Sequence, residues 1–154
     1  MEMNYLNIGF SEYNTQSAIA DVSFFLDSIS SNLMGQIPWV KYSYHPEVYF
    51  TMGYGSDCIF LKYYVSETSI QAANGTINGA VYQDSCVEFF ISFAGEKSYY
   101  NFEFNCIGTA RVGYGENRDD RQLLHTDLIK QIKYQSVINN QPKNEIHWEA
   151  HTAS

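Results

Sequence analysis

Apolar residues along this chain follow two periods, helical near its beginning and two-fold through its middle. From Gln16 to Ile29 they recur at Ile19, Val22, Phe25, Leu26 and Ile29, which predicts an amphipathic helix with Ser17 as its N-cap. From Glu47 to Met52 the period becomes two, Val48, Phe50 and Met52 alternating with Glu47, Tyr49 and Thr51. After the turn Gly53-Tyr54-Gly55-Ser56-Asp57 a second strand is expected from Cys58 to Val65, with Ile59, Leu61, Tyr63 and Val65 on one face. Together the two segments read as a hairpin. The strictest alternation follows, in Cys86 to Phe93, where Val87, Phe89, Ile91 and Phe93 oppose Glu88, Phe90 and Ser92. From Tyr99 to Cys106, Tyr100, Phe102, Phe104 and Cys106 oppose Asn101, Glu103 and Asn105, and Gly95-Glu96-Lys97-Ser98 reads as the connecting loop.

Toward the C-terminal end a short helix is expected from Thr126 to near Lys133, where Leu128, Ile129 and Ile132 share a face and basic residues sit where the helix dipole favours them. Turn residues fill Asn74 to Gly79, and Gly108 to Gly115 reads as strand and turn. Several strands with one or two peripheral helices predict a mainly β chain, an antiparallel β-sandwich of jelly-roll or immunoglobulin-like form, as a single domain over residues 1–154.

The alternation also fixes parity across the later hairpin. A one-residue slip would bury Glu103 and Asn105, so odd positions of the first strand must lie with even positions of the second. With a four-residue loop, Ala94 then faces Tyr99, Phe90 faces Glu103 and Glu88 faces Asn105, with opposed Cβ atoms about 5 Å apart. Glu88, Glu103 and Asn105 become one polar cluster. Cys86 and Cys106 fall on opposite faces, which argues against a disulfide between them. Carboxylates and an amide can clamp adjacent hydroxyls while an aromatic ring such as Tyr82 covers an apolar C–H face, the chemistry of a sugar site. Exposed strand faces also carry Glu and Asn merely for solubility, and spacing alone favours that reading.

Composition narrows the partners. Sixteen per cent aromatic residues, among them 13 Tyr, suit half-buried strands and the rims of polar pockets. A formal charge of -8 argues against nucleic acid or an anionic membrane, either of which needs a clustered basic footprint. Neutral ligands stay open. No stretch approaches the roughly 20 apolar residues of a membrane helix, and MEMNYLNIGF has neither the basic region nor the apolar core of a signal peptide. The odd count and wide spacing of Cys58, Cys86 and Cys106 point to reduced thiols acting as small hydrophobes. Asn74-Gly75-Thr76 has the form of a glycosylation sequon and reads first as part of a turn.

Val81-Tyr82-Gln83-Asp84-Ser85-Cys86-Val87-Glu88-Phe89-Phe90-Ile91 resembles the family 9 carbohydrate-binding modules: an aromatic residue, two variable positions, Asp-Ser-Val-Glu and an apolar strand, here with Cys86 inserted. The run from Tyr99 to Thr109, and Pro46-Glu47-Val48 with Tyr63-Tyr64-Val65-Ser66-Glu67, resemble a bacterial branch of the same family. The likeness extends from Ile37 to Trp148. It implies non-catalytic binding of a mono- or oligosaccharide in glycan degradation, a glycosidase as partner, an extracellular or periplasmic setting, and no cofactor beyond a structural calcium ion in some members. Residue by residue, the resemblance makes Tyr82 the sugar-stacking aromatic and Glu88 the hydroxyl-binding carboxylate. Its Arg-x-Asn pair falls on Glu103-Phe104-Asn105, so Asn105 keeps its type and Glu103 stands where the family has a cation. The expected ligand-binding set is Tyr82, Glu88, Glu103 and Asn105, with no catalytic residue and no metal ligand. The family also has further strands and a second stacking aromatic beyond the segment matched by Ile146-His147-Trp148-Glu149, which implies a module lacking its last strands, binding weakly through one ring. Trp148 then reads as a core residue of a late strand, and Trp39 as a core or sheet-edge anchor.

Three other readings compete. Glu88 and Glu103 could form the acid/base pair of a glycoside hydrolase, at the separations of about 5 or 6.5 to 9.5 Å which those mechanisms use. Met34, Met52, His45 and His125 could ligate haem in a sandwich related to DOMON domains, although their spacing matches no motif and His125 reads as a surface or capping residue. Glu116-Asn117-Arg118-Asp119-Asp120 offers oxygen ligands for calcium without the spacing of a defined loop.

Overall fold

The structure, a computed structural model, describes residues 5–35, 44–93, 95–140 and 146–153, with residues 140 and 146–153 as backbone only. Trp39 and Ala94 lie outside the described residues. The chain runs through β1 (Gly9–Phe10), α1 (Ile19–Asp27), β2 (Asn32–Leu33), β3 (Glu47–Tyr54), β4 (Ile59–Glu67), a 3₁₀ turn (Val81–Gln83), β5 (Cys86–Ile91), β6 (Tyr99–Asn105), β7 (Ala110–Gly115), β8 (Gln122–Leu123), α2 (Thr126–Ile129), β9 (Lys133–Asn140) and β10 (Ile146–Ala153). Two sheets form a sandwich. Sheet one has the order β1-β3-β4-β10-β9 with β2 also on β3, and sheet two has the order β5-β6-β7-β8. Every pairing is antiparallel except the two-residue contact of β1 with β3. Trp148 belongs to β10, between Val65 of β4 and Ile138 of β9.

Period two determines what each strand buries. Leu61, Tyr63 and Val65 of β4 pack on Val87, Phe104, Ala110 and Val112 of sheet two, with Ile129 of α2 closing the same core. Each such Leu, Val, Ile or Phe side chain contributes about 1.5–3 kcal/mol by leaving water. The Tyr63 hydroxyl crosses the core and donates to the Glu88 carbonyl at 2.9 Å. The other face of β3 and β4 receives α1, where Val22 and Leu26 pack on Cys58 and Phe60. Gly53 is required there: a Cβ would lie 2.7 Å from Cε1 of Phe25. Lys62 rises from the same face, 2% exposed, and its Nζ donates to Asp27 at 2.7 Å and Ser23 at 2.9 Å. Helix, sheet one and sheet two therefore stack as three layers. Among the described residues, no helix lies on the outer face of sheet two.

Element boundaries differ from the expected ones for local reasons. The N-cap of α1 is Ala18 without a side-chain bond, because the Ser17 hydroxyl accepts from Asn14 N at 3.0 Å in the preceding turn. α2 is a single turn, capped by His125, whose Nδ1 accepts from Asp127 N at 3.3 Å; the chain then leaves to form β9. The first hairpin runs longer than expected and turns at Gly55–Cys58, closed by Gly55 N on Cys58 O at 2.9 Å. Cys58, Cys86 and Cys106 are free thiols. Among the described residues, no helix is long and apolar enough to cross a membrane.

Candidate functional site

Sheet two turns a row of polar and aromatic side chains to its open face. Across β5, β6 and β7 the register aligns Glu88, Glu103 and Arg111, then Phe90, Asn101 and Gly113. Tyr99 lies opposite Gly115, and Cys86 opposite Asn105. The expected parity holds, but Glu88 faces Glu103 rather than Asn105. β5 ends at Ile91, so the connection is longer than four residues and the pairing moves by two positions without changing faces. Burial determines which side faces the core, and the loop determines how far along the strands slide.

Over these rows lies a cleft of about 630 Å³, bounded by Tyr82 from the 3₁₀ turn and by Arg118, Arg121 and Leu123 beyond β7. Bare backbone at Gly115 allows the return chain this close, since a Cβ there would sit 2.8 Å from the Cα of Arg121. Tyr82, 52% exposed, presents a ring whose neighbour is the Arg111 guanidinium, 5.6 Å from its centroid. Arg111 is itself fixed, its Nη1 donating to the carbonyls of Asn78 at 2.7 Å and Gly79 at 3.3 Å. At the other end, Arg121 lies 5.9 Å from the Phe90 ring centroid and 5.7 Å from that of Tyr99. Rows two residues apart along a strand are separated by roughly 7 Å, so the cleft is longer than one hexose ring.

The two carboxylates differ. Glu88 is exposed, and its Oε2 accepts a long bond from Asn101 Nδ2 at 3.5 Å. Glu103 is 7% exposed, and its Oε2 has no partner among the described residues. Burial first, and the Glu88 charge second, push the Glu103 carboxyl above its ordinary range, with Arg111, Arg121 and Arg118 opposing the rise. Burial, with Glu88 and Glu103 beside it, also raises Cys86, which remains a protonated thiol.

Asn105 lies elsewhere than expected. It is fully buried; its Nδ2 donates to Asp84 at 2.9 Å and to the Asn74 carbonyl at 2.8 Å, and its Oδ1 accepts from Thr109 N at 2.8 Å. With those bonds made, it is not among the residues that line the cleft. It props the turn beneath Tyr82. Asp84 is the hub of that support, accepting also from the backbone N–H groups of Ala73 and Asn74. Desolvation opposes its ionisation, but these donors prevail and hold the carboxyl down at about 2. Asn74, the sequon residue, donates its own amide to Asp84 at 3.1 Å.

The sequence reading missed Arg111, Arg118, Arg121, Asn101, Phe90 and Tyr99 as cleft residues. A signal was present: extending the alternation through Ala110-Arg111-Val112 sets Arg111 on the polar face beside Glu103. The cation that Glu103 displaces from its own position thus returns from the next strand. The acidic run beyond β7 forms an Asn117-centred turn, with Asn117 Oδ1 accepting from Asp119 N and Asp120 N. No three His, Cys, Asp or Glu side chains are grouped to hold a metal ion among the described residues. Of the residues considered for haem, Met52 packs against the inter-sheet core, Met34 is exposed, and His125 caps α2.

The family model for carbohydrate-binding family 9 matches residues 19–152. Among solved structures, a candidate carbohydrate-binding protein from Bacteroides uniformis ATCC 8492 is similar in fold at a TM-score of 0.82 and 29% identity, covering 96% of this chain and 71% of that one. No curated protein matches the chain.

Proposed function

The chain belongs to carbohydrate-binding family 9, and from that membership we propose that it holds a mono- or oligosaccharide in the cleft on sheet two without breaking a bond in it. Glu103 carries the reading. A buried carboxylate oxygen without a donor costs free energy, and a sugar hydroxyl entering the cleft supplies that donor. Glu88, directly opposite, accepts a neighbouring hydroxyl, and the half-exposed Tyr82 ring covers the apolar face of a pyranose. Asn105 contributes from beneath by fixing Asp84 and the turn that carries Tyr82. Phe90 and Tyr99 add apolar surface at the far end of the cleft, so binding does not depend on one ring alone. In this role the module keeps a glycoside hydrolase partner near its polysaccharide during glycan breakdown.

Titration of mono- and disaccharides followed by ¹H–¹⁵N NMR tests the proposal. Amides near Tyr82, Glu88 and Glu103 should shift together, and Glu88→Ala should weaken or remove the shifts. A folded protein that shifts with no member of a broad set of neutral and acidic sugars overturns it. The facing carboxylates, one with a raised pKa, also suit a glycosidase acid beside its partner. Release of aryl alcohol from aryl glycosides, abolished by Glu103→Gln, would establish that second reading.

A further inference from the structure

Resting on the saccharide reading of this cleft, we propose that the bound sugar carries a carboxylate, as a uronic acid does, and that Arg121, with Arg118 on the same loop, receives it. The three arginines of the sequence are Arg111, Arg118 and Arg121, and all three line this one cleft in a chain whose net charge is -8. Arg111 is engaged with the Asn78 and Gly79 carbonyls and the Tyr82 ring. Arg121 is engaged differently. Its guanidinium rests near the Phe90 and Tyr99 rings, 5.9 and 5.7 Å from their centroids, while its Nη1 is shielded from water with no acceptor among the described residues. None of the three forms an ion pair with Glu88 or Glu103.

A buried cationic donor without an acceptor is costly, and a planar guanidinium edge matches a carboxylate with two parallel hydrogen bonds. Glu103 displays the complementary vacancy, an acceptor in want of a donor. A ligand that satisfies both has hydroxyls near Glu88 and Glu103 and an anionic group toward Arg121, the pattern of an acidic oligosaccharide. Of the lining residues three are cationic and two anionic, so an anion meets a favourable local field. Glu116, Asp119 and Asp120 lie on the same loop as Arg118 and do not line the cleft.

The test compares disaccharides of one linkage: neutral, uronic-acid-bearing, the methyl ester of that acid, and a sulfate ester, by calorimetry at low ionic strength. The acid should bind roughly tenfold tighter than its methyl ester, the factor expected for one charge-assisted contact. Added salt should reduce that preference. Arg121→Gln should bring the ratio of acid to ester toward one, Arg121→Lys should leave part of it, and Arg118→Gln, at an exposed position, should lower it without unfolding the protein. Equal or tighter binding of the neutral sugar or the ester overturns the acidic-ligand proposal while leaving saccharide binding standing. A sulfate ester that outbinds the acid overturns the carboxylate assignment. Failure of all four sugars to bind folded protein overturns both readings.

Discussion

Lys62 and Glu103 are two charged side chains, each buried on the outer face of a central strand, and their surroundings differ. Lys62 of β4 is covered by α1, and its ammonium meets the Asp27 carboxylate at 2.7 Å and the Ser23 hydroxyl at 2.9 Å. Glu103 of β6 is nearly as buried, but among the described residues no helix covers the outer face of sheet two, and one of its oxygens has no partner. Folding therefore satisfies the first charge and leaves one oxygen of the second without a partner among the described residues. A buried charge stabilises a fold only when it is paired. In the saccharide-binding proposal, the unpaired one is where stability yields to binding.

Breaking the satisfied side should have the largest effect. Asp27→Ala should lower stability by about 2–3 kcal/mol in urea unfolding, the low end for a broken buried pair because Asp27 is half exposed. Next comes Asn105→Ala, which leaves Asp84 and Thr109 N each short of a bond and should cost about 2 kcal/mol. Stability, measured by the same unfolding, should fall while sugar titration of the folded fraction still moves Glu88 and Glu103 signals. Glu103→Gln should do the reverse, lowering saccharide affinity roughly tenfold by calorimetry while stability stays level or rises slightly.

The smallest effects should appear with pH. The Glu103 carboxyl is raised in the folded state, so its protonation favours the fold and, in the proposed site, replaces a charged acceptor by a weaker neutral one. Saccharide affinity should therefore fade as pH drops toward and through a point above 4.5. Asp84 has the opposite sign: held down at about 2 against an ordinary 3.8, it contributes stability that is complete above 3.8 and lost as pH falls through 2. Binding should disappear at a higher pH than the contribution of Asp84 to the fold. Affinity and thermal melting followed over the same acid series check that order.

Which side of each strand faces the core was legible, because alternation of Val87, Phe89 and Ile91 against Glu88 and Phe90 leaves one burial solution. How far the strands slide was not, since the loop between β5 and β6 is longer than its four turn-forming residues. The motif around Asp84 and Glu88 pointed to the face that carries the cleft but did not separate cleft lining from support, because Asp84 and Asn105 owe their places to bonds with Asn74 and Thr109, positions that no local pattern connects. The arginines were hidden for a related reason. Arg118 and Arg121 lie in a polar run whose approach to the sheet depends on a side chain that is missing, at Gly115.

That missing side chain separates two design problems. Because the segment carrying Arg118 and Arg121 rests on bare backbone and supplies no member of either hydrophobic cluster, it can be rewritten in length and charge while the sandwich beneath keeps its packing. If the cleft holds a saccharide as proposed, grafting other loops between Gly115 and Gln122 is then a route to new sugar preferences on an unchanged scaffold.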